Sequence, residues 1–240
     1  SGFEVVRVPI SEDVRMNLSL VEPGGVGTKI NAPGPTLSKE EMELLTKETA
    51  NTAKGSEWLA VCGSLPTGTD PSLYAALVGV AREAGCRVAA DTSGEPLRAA
   101  IEAGPDLVKP NHEELAELVG RKLKNFGDVL EAAKEVRAAG VGAVLVSLGP
   151  DGAILVGEEG AFHAETPPFT PKSTVGAGDS LLSGFLAAGG SGEESLVEAV
   201  AWGAAATKLP GTTGPGPEDI NRNEVSLSEG LDPRRPLEDE

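Results

Sequence analysis

The sequence predicts an α/β protein with a parallel β-sheet covered by helices on both faces. Two observations support this class. From Trp58 onward, short apolar runs typical of buried strands alternate with segments of helical periodicity. The links between them are short and carry helix-capping residues or glycines, as expected where strands and helices alternate. With 240 residues and 40% hydrophobic content, the chain is long enough to bury a full core.

The first 37 residues show a different pattern. Residues 3–10 and 14–21 alternate apolar and polar side chains, which predicts strands with one solvent-exposed face. A glycine-rich turn, EPGGVGT, then leads to a short third strand around Lys29–Ile30. Because antiparallel sheets commonly keep one face in water, we predict a small antiparallel β lid over residues 1–37 and an α/β core over residues 38–240.

The core elements follow in chain order. Ser38 and Glu41 form a capping-box pattern at the start of the first helix. Strands are predicted over residues 58–62, 87–91, 106–109, 142–147 and 152–157. Helices are predicted over residues 38–53, 70–85, 94–104, 111–120, 127–139, 178–189 and 193–208. A Gly/Pro-rich stretch, PGTTGPGP, then leads to an acidic tail, LEDE, which is expected to fray.

Four polar or glycine-bearing loops directly follow predicted strands. They are GSLP, DTSG, KPNHEE and SLGPDG. Ligands of open α/β sheets bind outside the carboxyl ends of the strands. We therefore expect these four loops to lie on one rim of the sheet and to form a binding site.

Charge and composition exclude several functions. The net charge of −17 argues against nucleic acid or an anionic membrane as a partner, because either needs a basic face. The sequence contains no apolar run long enough to span a membrane. Cys62 and Cys86 are isolated in sequence, as are both histidines, which argues against a structural metal site and predicts buried thiols. Because no signal peptide is visible, we predict a cytoplasmic protein.

The stretch TVGAGDSLLSGF, residues 174–185, places two glycines and an aspartate at the start of an apolar helix. Asp179 could simply cap that helix, a common device worth about 1 kcal/mol. Alternatively, the amides of Gly176, Ala177 and Gly178 could hold a phosphoryl group, because helix N-termini favour anions. Asp179 would then accept the proton of an attacking hydroxyl, since phosphoryl transfer needs mainly positioning and charge stabilisation.

Two further loops each have a structural and a functional interpretation. Glu114 could complete a capping box with Asn111, or it could hold Mg²⁺ near a phosphate. Lys109 could be a surface lysine or a phosphate partner. The sequence SLGPDG, residues 147–152, could be a hairpin turn, or its glycines could let a nucleotide phosphate approach the backbone.

Two residues could bind a phosphate on the substrate. Arg15 could be a solvated strand charge, or it could clamp a phosphate by a bidentate contact. Ser64 could cap a turn or donate to the same phosphate.

Other nucleotide and hydrolase motifs are absent from the sequence, namely the Walker loop, the GxGxxG fingerprint and the GxSxG elbow. A dinucleotide-dependent dehydrogenase is therefore disfavoured.

Together these motifs resemble the ribokinase/PfkB family of carbohydrate kinases. TVGAGDSLLSGFLAA is similar to the family's C-terminal signature. GSLPTG, DTSG, LVKPNHEEL and SLGPDGA are similar to the 1-phosphofructokinase and tagatose-6-phosphate kinase branch. The resemblance covers nearly the whole chain in order. It implies a ribokinase-like fold and an ATP- and Mg²⁺-dependent enzyme that phosphorylates a hydroxyl of a ketohexose phosphate, with fructose 1-phosphate as the first candidate.

The resemblance also implies roles for the residues at the centre of the site. Asp179 matches the family's catalytic base, and the amides of Gly176–Gly178 match its anion hole. Glu114 matches a glutamate that organises Mg²⁺, with Asn111 and Lys109 beside it.

Further residues match positions that bind the two substrates. Arg15 and Ser64 match residues that grip the phosphate already on the sugar. The positions implied to contact ATP are Ser147, Leu148, Gly149, Pro150, Asp151, Gly152 and Ala205. The lid strands match a lid that closes over substrate, and they are a candidate homodimer contact.

The sequence departs from the family pattern near its start. The NPAxD motif, whose aspartate binds sugar hydroxyls, and the GGKGxN loop are not found, and Val14 stands where the branch has threonine in TR-x-N. The chain begins SGFEVVRV without methionine, so the resemblance implies that the first quarter of a usual member is missing before Ser1. The alternatives are a tagatose-6-phosphate or 6-phosphofructokinase specificity, or a non-catalytic nucleotide-binding remnant.

Overall fold

The computed structural model describes residues 4–21, 27–32, 34–66, 68–228 and 230–238. Its strands are β1 (Asn17–Val21), β2 (Gly27–Asn31), β3 (Trp58–Cys62), β4 (Arg87–Asp91), β5 (Leu107–Val108), β6 (Ala143–Ser147), β7 (Ala153–Gly157), β8 (Gly160–Glu165) and β9 (Ser226–Ser228). Its α-helices are α1 (Lys39–Ala53), α2 (Ser72–Glu83), α3 (Gly94–Glu102), α4 (His112–Val119), α5 (Phe126–Ala138), α6 (Ala177–Ala187) and α7 (Gly192–Thr207).

Seven strands form the main sheet, in the order β3-β4-β5-β6-β7-β8-β9. The strands from β3 to β6 pair in parallel, which brings their carboxyl ends to one edge, as predicted. From β6 onward the pairing is antiparallel. The last two strands were not predicted. β9 has only three residues, too few for a periodic pattern, and its strand character comes from pairing with β8.

Helices cover both faces of this sheet, which confirms the predicted class. One apolar cluster contains side chains from α1 to α5, and its largest fully buried members are Phe126, Leu97, Leu115, Leu148 and Ile154. The other contains side chains from α6 and α7, including Phe185 and Leu196. The strand β4 illustrates the alternation, since Val88 and Ala90 face the first cluster and Ala89 faces the second.

The N-terminal region forms a two-stranded antiparallel sheet, not the predicted three strands. β1 pairs with β2, and the predicted strand at Lys29–Ile30 is confirmed within β2. The strand predicted over residues 3–10 is wrong for the described residues 4–10, which are irregular, and Val5 and Val6 are exposed. A strand needs a neighbour for its backbone hydrogen bonds, and sequence alternation alone does not supply one. Most of the predicted glycine-rich turn, residues 22–26, lies outside the described residues.

The acidic tail is docked as far as the structure describes it, so the prediction that it frays is wrong for Leu237 and Glu238. The Leu237 amide donates to the Lys124 carbonyl at 3.2 Å, and the Glu238 amide donates to the Asp151 carboxylate at 2.7 Å.

None of the helices in the described ranges combines the length and the apolar character needed to cross a bilayer.

Candidate active site

The four polar loops lie side by side on one rim of the sheet, as predicted. Backbone hydrogen bonds join the neighbouring strand ends and loops: Gly63 donates to Asp91 at 2.9 Å, Lys109 to Ala90 at 3.0 Å and Ser147 to Pro110 at 3.1 Å. Each bond continues a parallel ladder past the end of a strand. The rim is therefore a direct extension of the sheet.

A buried ion pair lies at the centre of this rim. Lys109 Nζ is 3.1 Å from Asp91 Oδ1, and the two side chains are only 5% and 15% exposed. Burial raises the pKa of the Asp91 carboxyl, the Lys109 ammonium opposes the rise, and the charges of Asp179 and Glu114 add to it. Three carboxylates and one ammonium thus act on each other at this rim. Sequence reasoning assigned no role to Asp91, although a carboxylate ending the apolar strand RVAAD is a signal that could have identified it.

The ammonium of Lys109 also lies against the first turn of α6. A Cβ placed on Gly178 would be 3.2 Å from Lys109 Nζ, so a larger residue there would crowd the ammonium. Gly176 is the N-cap of α6, with a positive φ of 78°, and the helix begins at Ala177. A helix N-terminus and a lysine ammonium both favour negative charge, so their juxtaposition is suited to an anion.

Asp179 is the third residue of α6, and its side chain is exposed. Gly176 occupies the N-cap position, so the interpretation of Asp179 as the residue that caps the helix does not hold. The carboxylate is instead presented at the rim, one residue from the glycine that Lys109 contacts. This is a position from which it can accept a proton from a bound hydroxyl.

Glu114 and Asn111 form the predicted capping box at the start of α4. The Glu114 amide donates to the Asn111 side chain at 2.8 Å, and the Asn111 amide donates to a Glu114 carboxylate oxygen at 2.9 Å. Within the described residues, no three histidine, cysteine or acidic side chains are arranged to hold a metal ion. A single oxygen-donating carboxylate fits Mg²⁺, which keeps several waters and takes much of its coordination from phosphates.

Arg15 and Ser64 are brought together, although 49 positions separate them in sequence. Arg15 Nη1 donates to Ser64 Oγ at 2.6 Å, and both residues are exposed. The loop that carries Ser64 is held from behind, because the Gly63 carbonyl accepts from Thr92 Oγ1 at 2.8 Å and from the Tyr74 hydroxyl at 2.5 Å. Arg15, from the N-terminal region, and the rim of the main sheet therefore meet at one point.

Cys62 ends β3 at the same rim. Its desolvated surroundings raise the pKa of its thiol to about 11, and the carboxylates of Asp91 and Asp179 contribute to the rise. The side chain nevertheless reaches solvent, so the prediction of a buried thiol is wrong for Cys62 and confirmed for Cys86. The end of β3 is thus close enough to Asp179 for the charge of that carboxylate to act on the Cys62 thiol.

The SLGPDG loop forms a short 3₁₀ turn over Gly149–Asp151, and the predicted hairpin between β6 and β7 is confirmed. Leu148 and Asp151 are each 1% exposed, whereas Gly149 and Pro150 are exposed. Ser147 and Gly152 are half-buried. The Gly149–Pro150 tip is therefore the most exposed part of the loop, and the Asp151 side chain is buried.

Gly152 cannot be replaced without moving the sheet. It has a φ of +78°, and a Cβ there would lie 2.0 Å from the Ala164 carbonyl oxygen. We expect Gly152→Ala to lower the free energy of unfolding by about 3 kcal/mol or more, measured by urea denaturation. Gly55 has a similar φ of +81° with nothing within 4 Å, so Gly55→Ala should cost only about 1 kcal/mol. Equal costs for the two variants would contradict the steric argument.

The end of α7 borders the segment that leads into Gly176. The Thr207 carbonyl accepts from the Lys172 amide at 2.8 Å, and Ser173 Oγ donates to the Gly211 carbonyl at 2.8 Å. Ala205, implied by resemblance to lie at the adenine, is itself only 3% exposed. The end of the helix is therefore near the rim, but the Ala205 side chain packs inside.

A mixed sheet with a parallel half, covered by helices on both faces and with an anion-favouring helix N-terminus at its rim, is the architecture of the ribokinase-like α/β proteins. The chain belongs to the pfkB family of carbohydrate kinases, whose family profile matches residues 1–219. This confirms the resemblance drawn from the motifs.

Two relatives and one solved structure illustrate the match. The chain is 43% identical over 175 residues to the 1-phosphofructokinase of Rhodobacter capsulatus, covering 72% of this chain and 55% of that protein. It is 38% identical over 214 residues to the ATP-dependent 6-phosphofructokinase isozyme 2 of Escherichia coli, covering 87% of this chain and 69% of that protein. The structure of Escherichia coli phosphofructokinase-2 with substrates and products matches with a TM-score of 0.77 at 38% identity. The match covers 85% of this chain and 67% of that one. The chain thus spans little more than half of the first relative.

Proposed function

We propose that this chain carries the ATP site and the phosphoryl-transfer site of a sugar-phosphate kinase. The reaction moves the γ-phosphoryl group of ATP to a hydroxyl of a ketohexose phosphate, with fructose 1-phosphate as the leading substrate. The observation that carries the proposal is the buried Lys109 ammonium beside Gly178, with Asp179 as the next residue. An anion site and an exposed carboxylate are thereby adjacent.

The positive groups at this point stabilise the charge of the transferred phosphoryl group. The amides of Gly176, Ala177 and Gly178 bind its oxygens together with Lys109. Asp91 holds Lys109 from the opposite side at 3.1 Å, so the ammonium is in position before the nucleotide binds.

Asp179 accepts the proton of the attacking sugar hydroxyl. Its exposure at the rim supports this role, because an incoming hydroxyl has to reach it. Mg²⁺ would neutralise charge on the phosphates when bound, and Glu114 would hold it directly or through water.

Arg15 and Ser64 bind the phosphate already carried by the sugar. Their mutual contact at 2.6 Å supports this assignment, because a guanidinium and a hydroxyl at one exposed point form a phosphate-binding pair.

The lid strands are also proposed as a homodimer contact. Exposed apolar side chains support it, with Val14 78%, Met16 76% and Ile30 51% exposed.

Kinase assays rank the candidate substrates. The chain is incubated with ATP and Mg²⁺ and with fructose 1-phosphate, fructose 6-phosphate or tagatose 6-phosphate, and ADP release is followed. We expect turnover, with the highest kcat/KM for fructose 1-phosphate. A higher value for either other sugar would replace the specificity assignment and leave the reaction class intact.

The alternative is a non-catalytic nucleotide-binding protein, because the α6 N-terminus and Lys109 would also hold a nucleotide phosphate that is not transferred. Calorimetric titration with ATP separates the two proposals. Binding of ATP without turnover of any of the three sugars supports the alternative. Turnover by the chain excludes it.

A further inference from the structure

The C-terminal strap, residues 231–238, lies beyond the residues that match the family profile and is docked on the N-terminus of α5. The Gly127 amide donates to the Pro233 carbonyl at 2.9 Å, and the Phe126 amide donates to the Arg235 carbonyl at 3.0 Å. Leu237 in turn donates to Lys124. Backbone hydrogen bonds on both sides of Arg235 therefore fix its position.

The side chain of Arg235 joins the strap to two carboxylates. It binds Glu165 in a bidentate manner at 3.0 and 2.7 Å, and its Nη2 also donates to Asp151 Oδ1 at 2.7 Å. Its guanidinium lies 4.7 Å from the centre of the Phe126 ring. The Glu238 amide donates to Asp151 Oδ2 at 2.7 Å, so the strap occupies both carboxylate oxygens of Asp151.

Asp151 belongs to the SLGPDG loop, which connects the strap to the rim. Asp151 is 1% exposed and its carboxylate faces the strap, while Gly149 and Pro150 are exposed to solvent. Its carbonyl oxygen is within 2.7 Å of His163 Nε2. Because the loop is one short turn, the location of its exposed tip depends on where Asp151 is anchored.

We propose that the C-terminal strap positions the nucleotide loop, and that Arg235 is a positioning residue for ATP acting through Asp151. This inference rests on the proposed function only in naming ATP as the ligand of the loop. Among the described residues, Arg235 is the only charged partner of the buried Asp151 carboxylate. A buried ion pair with good geometry restricts the positions of both groups, because separating them would leave an uncompensated buried charge. The exposed tip is therefore held in place before ATP arrives.

The experiment compares Arg235→Ala with Arg234→Ala. Arg234 is the neighbouring arginine in the strap, is 92% exposed and is paired only loosely with Asp232 at 3.7 Å, which makes it a matched control. Hydrogen exchange of the amides in residues 148–153 measures loop order, and calorimetry measures ATP affinity at a temperature where circular dichroism shows full folding. In Arg235→Ala we expect about tenfold faster loop exchange and about fivefold weaker ATP binding. Arg234→Ala should match the wild-type chain in both measurements.

Two further variants keep the test decisive. Glu165→Gln removes the negative charge that pairs with Arg235 and changes no residue of the loop. Loop exchange and the loss of ATP affinity should therefore change in the same direction as in Arg235→Ala but by less, and this variant can be measured even if Arg235→Ala fails to fold. Arg235→Lys should restore part of the ATP affinity, because an ammonium can pair with one carboxylate at a time.

Specific outcomes would overturn the inference. If Arg235→Ala and Glu165→Gln lower the melting temperature but leave loop exchange and ATP affinity unchanged, the strap only stabilises the fold. Failure of the wild-type chain to bind ATP would instead contradict the proposed function. The exchange measurement would still decide whether the strap orders the loop.

Discussion

Asp179→Asn is expected to lower kcat for phosphoryl transfer by about 10²- to 10⁴-fold, the usual contribution of a positioned general base. Asparagine keeps the size of the side chain at the third position of α6 but cannot accept the proton of the sugar hydroxyl. The proposed anion site of Lys109 and the α6 amides is unchanged in this variant, so ATP affinity should stay close to the wild-type value. Steady-state kinetics and calorimetric titration with ATP measure the two effects separately.

Glu194→Gln is a matched control for this variant. Glu194 is the exposed third residue of α7, so its substitution removes the same kind of charge from a helix N-terminus at a different place. It should leave turnover unchanged. Retention of wild-type kcat in Asp179→Asn would show that this carboxylate is not the base.

Asp91→Asn is expected to lower the free energy of unfolding by about 3–5 kcal/mol, because it leaves a buried ammonium without its counter-charge. Lys109 is only 5% exposed, and a Cβ placed on Gly178 would lie 3.2 Å from its Nζ, so the ammonium is enclosed by the first turn of α6 and has little access to water. Urea denaturation measures the loss. The same variant should weaken ATP binding, since Lys109 would no longer be held at the anion site.

The double variant Asp91→Asn/Lys109→Met tests the cause. Removal of both charges should recover much of the stability lost in the single variant, because a buried pair replaced by neutral groups is often tolerated. The exposed pair of Lys39 and Glu43 is the control, with side chains 81% and 68% exposed, and Glu43→Gln should have little effect. If Asp91→Asn is as stable as the wild-type chain, the ion pair does not hold Lys109 in place.

Much of the core was predictable because its signals are local. The predicted strands at residues 58–62 and 87–91 have the observed bounds of β3 and β4. The capping boxes of α1 and α4 were read from pairs of residues three positions apart, and both are present. The order of strands and loops along the chain also predicted a common rim, because parallel strands connected by helices must end on the same side.

The site was only partly predictable. The motifs identified Lys109, Asp179 and Glu114 as candidates, but local sequence also gave each a structural interpretation and favoured the capping box for Glu114. The structure resolves the environment of Lys109, a buried ammonium paired with Asp91 and lying against Gly178. That arrangement joins residues from three separate elements, so no local pattern could reveal it.

Some features were decided by tertiary structure alone. An alternating pattern at residues 4–10 does not become a strand, because it has no pairing partner among the described residues, whereas the three residues of β9 become one by pairing with β8. Asp151 looked like part of a phosphate-binding loop, but its carboxylate faces inward and is held by Arg235, 84 positions later. The sequence by itself determined the helices, the core strands and the family, because capping and periodicity operate over a few residues. Only the tertiary structure decided which charges meet and which strands pair, because those energies depend on burial and on partners distant in the chain.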